Sequence, residues 1–138
     1  MAEAALIFQA ASGIMSGIAG FQEARAQQQH AKINSYIART RALQTDTTAR
    51  QGLEDELGSM RAAMAGSSQR MGAGTMEIVN ELRQVRGRER RIEVGNHRNE
   101  EADWRMRARN AGARAPWALA GGIARAGPSL FDLYQLRG

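Results

Sequence analysis

From Gln22 to about Ala65 the chain runs without a proline and is rich in Ala, Gln, Arg and Glu, all strong helix formers. This predicts one long helix, at about 1.5 Å per residue some 65 Å of it. Its larger side chains recur at Ile33, Tyr36/Ile37, Thr40, Leu43 and Thr47, then at Leu53, Leu57, Met60 and Met64, alternating threes and fours as an a/d seam does. The two halves fall out of phase near Gly52, which predicts a skip or soft kink there. So narrow a seam can serve a neighbouring helix but cannot build a globular core.

Composition sharpens the point. The 138 residues are 43% apolar, but 25 of the apolar residues are Ala. Val, Ile, Leu and Phe number only 23, below the roughly 20% at which an isolated chain struggles to offset its ordering entropy. A self-sufficient compact enzyme is a poor match to such a chain; a subunit that depends on an oligomer is a better one. Cysteine is absent, which excludes disulfides, thiolate nucleophiles and thiolate metal sites. Of 19 basic residues only Lys32 is lysine. Arginine suits bidentate pairing with carboxylate or phosphate, although a GC-rich genome writes the same bias.

Residues 4–22 carry no formal charge and read AALIFQAASGIMSGIAGFQ. Nineteen helical residues approach the roughly 30 Å of a bilayer's hydrocarbon, yet Gln9, Ser12, Ser16 and Gln22 interrupt the run. No basic region precedes it, so it does not read as a signal peptide. Gly13, Gly17 and Gly20 leave one face nearly flat, a candidate surface for oligomer or membrane contact. The plainer reading is an Ala/Gly helix packed in a protein interface.

The stretch from Gly66 to Gly74 (GSSQRMGAG) is the best loop, where the chain reverses. Thr75 is then expected to cap a second helix, with Glu77 in its first turn. No Gly-Lys-Ser/Thr closes the loop as a phosphate-binding motif requires. The second helix is expected over 76–110, with Ile78, Leu82, Val85 and Ile92 on one stripe and Glu101/Arg105 and Asp103/Arg107 as supporting pairs. A short connection between long helices predicts an antiparallel hairpin. From Gly112 a short apolar tail follows: Pro116 opens one small helix, and Gly127-Pro128 ends it and opens another. Trp117, Leu130, Phe131, Tyr134 and Leu136 would form an exposed apolar patch, a candidate partner contact. The expected fold is therefore all-α, in three segments: 1–22, the hairpin 23–111 and the tail 112–138.

Little in the chain carries chemistry. His30 and His97 stand in polar surroundings; Glu93 and Glu101 fall beside His97 at helical spacing, the pattern of a solvated salt-bridge face. Glu54, Asp55 and Glu56 point in different directions around a helix and cannot focus a carboxylate pair. No cofactor or metal is expected. Residues 83–110 hold nine Arg against five acids, while 1–37 sum to zero and 38–82 to −1. Arg83, Arg86 and Arg90 share a helical face and are the candidate contact for an anion such as a nucleic-acid backbone. Glu89 and Glu93 interleave with them and no aromatic residue lies nearby to stack on bases, so a salt-bridged face is the alternative.

The order of parts, from SGIMSGIAG through EARAQQQHAKINSYIARTRALQTD and a second charged helix to the apolar tail AGPSLFDLYQL, resembles the small internal virion proteins of short-tailed, T7-like bacteriophages. The likeness lies in layout rather than in a diagnostic motif, and the chain is shorter than typical members. It implies a mostly helical subunit, present in several copies near the portal and tail, that leaves the head with the genome and contributes to DNA ejection. Its implied partners are copies of itself and portal, tail or core subunits, with contact to phage DNA and to the host membrane during ejection. Its implied location is the virion and, on infection, the host envelope. The alternatives from other classes are a basic helical nucleic-acid-binding protein and a small membrane-active helical protein.

Overall fold

In a computed structural model, residues 2–66 and 72–137 are described. They form two helices, α1 (Ala2–Gly66) and α2 (Ala73–Arg137), which pack against each other as an antiparallel hairpin with no strand among the described residues. Both helices pass through two compact units: Met1–Asn34 with Asp103–Gly138, and Ser35–Ala102. The sequence segments 1–22 and 112–138 thus belong to the same unit.

In the first unit the seam is made of small residues. Ala10, Gly13, Gly17, Ala24 and Ala31 of α1 are buried, and Ala108, Ala111, Ala115, Gly122, Ala126 and Ser129 of α2 lie against them. The contact is closest at the glycines: a Cβ on Gly17 would sit 2.9 Å from the Cα of Gly122, and one on Gly122 would sit 2.6 Å from the Cα of Gly17. No side chain larger than hydrogen fits at either position.

The second unit uses larger residues along with Ala38 and Ala42. Leu57 and Val94 are buried, and Leu53, Met60, Met64, Val79 and Leu82 are half-buried. Ion pairs also join its helices: the Arg86 guanidinium donates to both carboxylate oxygens of Glu56, with Nε 3.1 Å from Oε2, and Arg90 Nε lies 3.5 Å from Asp46.

Three expectations are corrected. The seam anticipated at Ile33, Tyr36 and Leu43 faces solvent, with exposures of 58, 71 and 62%. The seam uses Ala31, Ala38 and Ala42 instead, because bulky residues would hold the helices apart. Thr40 and Thr47 donate their hydroxyls to the carbonyls of Tyr36 and Leu43 on their own helix. α1 continues as helix through Gly52.

The tail is not a set of separate short helices either, since α2 runs through Pro116 and Pro128 to Arg137. An interior proline costs a helix about 3 kcal/mol. Buried Ala115, Gly122, Ala126 and Ser129 flank the two prolines, and their packing on α1 holds the helix through both. Finally, α2 begins two residues before Thr75. The Gly72 carbonyl accepts the N–H groups of Thr75 and Met76 at 3.1 and 3.2 Å, which takes Thr75 inside the first turn and leaves Glu77 beyond it. Of the anticipated loop, residues 67–71 lie outside the described set.

The glycine contacts set up a contrast. Gly122→Ala must push α1 away and should destabilise the pair by about 1–3 kcal/mol. Gly58→Ala, with nothing within 4 Å of the added carbon, should gain up to about 1 kcal/mol from helix propensity. Thermal unfolding followed by circular dichroism at one protein concentration separates them; equal melting temperatures would rule out the close approach.

Candidate self-association and anion-binding surfaces

The first unit turns its large apolar side chains outward. Along α1, Phe8 is 77% exposed and Met15 70%, and Ile7, Ile14 and Ile18 are also exposed. Along α2, Trp117, Ile123, Leu130, Phe131 and Tyr134 are exposed, Tyr134 to 80%. Trp117, Leu130, Phe131 and Tyr134 therefore stand where a partner could reach them; the side chain of Leu136 lies outside the described residues. Near its N-terminus α1 has an 18-residue stretch of mean hydropathy 1.2, of which 11% is buried, long and apolar enough by length and composition to cross a membrane.

Gly13, Gly17 and Gly20 occupy the opposite side. A Cβ on Gly13 would meet the backbone nitrogen of Ala126 at 3.2 Å, and one on Gly20 would meet the Ala118 methyl at 3.2 Å. The flat face is thus taken up by the chain's own α2. Any surface offered to neighbours is made of the large residues around it. Ser12 and Ser16 donate their hydroxyls to the carbonyls of Gln9 and Gly13, which satisfies both within the helix.

In the second unit the three candidate arginines have different surroundings. Arg86 is held by Glu56 and, at 3.0 Å, by Glu89. These hydrogen bonds, first to Glu56 and then to Glu89, hold its guanidinium protonated even more firmly than usual. Arg90 faces Asp46, which also pairs with Arg50 at 2.9 Å. Arg83 lines an open groove with Arg50, Arg61, Leu53, Glu54 and Leu57. Arg86 and Arg90 thus meet carboxylates of α1, an arrangement that joins the helices as well as presenting positive charge. His97 Nδ1 meets Glu100 at 3.6 Å. Among the described residues no group of three acidic or histidine side chains is placed to hold a metal ion.

A further groove, in the first unit, was not anticipated. It encloses about 500 Å³ between His30 and Asn34 of α1 and Trp104, Arg107 and Arg114 of α2. The Arg107 guanidinium lies over the Trp104 ring, 4.6 Å from its centroid. The spacing of Trp104, Arg107 and Arg114 at three and seven residues was available in the sequence as a shared helical face.

No family model, curated protein or solved structure matches the chain.

The ion pairs lead to a measurable consequence. Neutralising Glu56 and Asp46 together (E56Q/D46N) removes the counter-charges from Arg86 and Arg90, so the variant should elute from a DNA column at higher salt than the native chain. Unchanged elution would mean that these carboxylates do not restrain the arginine face.

Proposed function

We propose that this chain is a non-enzymatic structural subunit of a tailed-bacteriophage particle, an internal or portal- and tail-associated protein that takes part in DNA ejection. The phage assignment is supported by the resemblance in layout to the internal virion proteins. The role as an assembly subunit is carried by one observation: the hairpin is packed small side in and large side out. Among the described residues nine of the eleven buried apolar side chains are Ala, while Phe8, Met15, Trp117, Phe131 and Tyr134 face outward. A buried methyl contributes only about 0.8 kcal/mol, against about 1.5–3 for a buried Leu, Ile or Phe. The larger gain is therefore available only when other chains cover the outside.

The neighbours that do so are copies of the chain and other virion subunits. A second reading, a membrane-active helical protein, is favoured by the charge-free run of α1, because small residues between helices and large ones outside suit packing in lipid. Arg125 and Asp132, both exposed on α2, make protein neighbours the better cover for that helix. The two readings fit successive stages, with the particle first and the host envelope during ejection.

Mass spectrometry of purified particles should find the chain in several copies; its absence would end the assignment. The purified chain should scatter light as an oligomer and lose helix on dilution. A cooperatively melting monomer would contradict the role as an assembly subunit.

A further inference from the structure

The groove between His30 and Trp104 has a combination of groups that the Arg83–Arg90 face lacks. Two arginines stand on one side of α2 seven residues apart, about 10 Å along the helix, with Trp104 one turn before the first. Asn34 and Asn110 add amide donors and acceptors, and no carboxylate lines the space. Glu23, the nearest acid on α1 to the groove's end, accepts a hydrogen bond from Gln27 at 3.1 Å. The floor is Ala31 and Ala111, so a flat group can descend to the seam.

An aromatic face beside cationic guanidinium groups is the pairing that holds unpaired bases and their backbone. The Arg107 guanidinium carbon lies over the indole, and such a contact engages its charge rather than its N–H donors, which can turn to phosphate. Asparagine amides match the donor and acceptor edges of a base. A duplex keeps its bases stacked inside and offers Trp104 nothing to stack on. We propose that this groove binds a single-stranded nucleic acid, with a base against the Trp104–Arg107 pair and the adjoining phosphates on Arg107 and Arg114. The proposal does not rest on the phage reading and holds for either kind of assembly.

The test uses the full chain carrying Trp117→Phe, which leaves Trp104 as the only tryptophan. Short oligothymidylate should quench Trp104 emission, less so as salt rises, and duplex DNA of equal length should quench it weakly. Arg107→Gln with Arg114→Gln should weaken the oligothymidylate effect at least about tenfold, on the scale of one stacked base, while Arg41→Ala, at an exposed arginine outside the groove, leaves it unchanged. Both arginines of the double variant are exposed, and circular dichroism checks that helicity is kept. If the double variant loses helix, Arg107→Lys takes its place, since it keeps the charge, removes the planar guanidinium with its paired donors and should also weaken quenching. The proposal is overturned if oligothymidylate fails to quench Trp104, if polyglutamate quenches it equally, or if folded Arg107 and Arg114 variants respond like the parent.

Discussion

The Gly17–Gly122 contact governs how the first unit is built. Two backbones that meet within the space of one absent methyl leave no room for bulky residues between them, so every large side chain nearby must turn outward. Alanine and glycine then recur at seven-residue intervals on both helices, at Ala10, Gly17, Ala24 and Ala31 on α1 and at Ala108, Ala115 and Gly122 on α2, with Ser129 continuing the series. This is a heptad seam with small residues in place of the usual Leu and Ile. It fixes register by steric fit rather than by buried area, and the outward display of Phe8, Trp117 and Tyr134 follows from it.

Much of the fold was legible in the sequence, and what was not has a common cause. The helix formers between Gln22 and Ala65, the glycine-rich reversal and the charged second helix led correctly to an all-α hairpin. Leu57 was rightly placed on an inner face, because in that unit large residues do meet. Ile33, Tyr36 and Leu43 were placed inward on the premise that size marks the core. That premise fails wherever helices approach closely, since the seam then selects for the smallest side chains. The recurrence of Ala and Gly every seven residues was the available signal. Pro116 and Pro128 misled for a related reason: their cost is local, and packing of Ala115 and Ala126 on α1 offsets it at longer range.

The candidate surfaces show the same difference between local and tertiary information. Helical spacing put Arg83, Arg86 and Arg90 on one face, but only the partner helix reveals that Glu56 and Asp46 meet two of them. Exposed pairs of this kind add little stability individually, and they are screened by salt. Their clearer effect is on orientation, because carboxylate and guanidinium must face each other across the hairpin. Trp104 and Arg107 were visible as neighbours on a helix; the groove they line requires α1 to supply the other wall with His30 and Asn34.

The two units also differ in the surroundings they tolerate. Between Gly13 and Gly20 the first unit's seam is neutral, its glycines and alanines leave no polar side chain unsatisfied, and Ser12 and Ser16 bond to their own helix. Moving such a seam from water to lipid or to the interior of an assembly strips hydration from no charge within it. The second unit joins its helices through Arg86–Glu56 and Arg90–Asp46. Ion pairs taken out of water lose hydration that their mutual attraction does not always restore. A bilayer would therefore accept the α1 side of the first unit far more readily than any part of the second, which is suited to water or to polar protein neighbours. If one chain serves both particle and envelope, the outward residues from Ile7 to Ile18 are the part that can exchange protein for lipid without rebuilding the contact behind them.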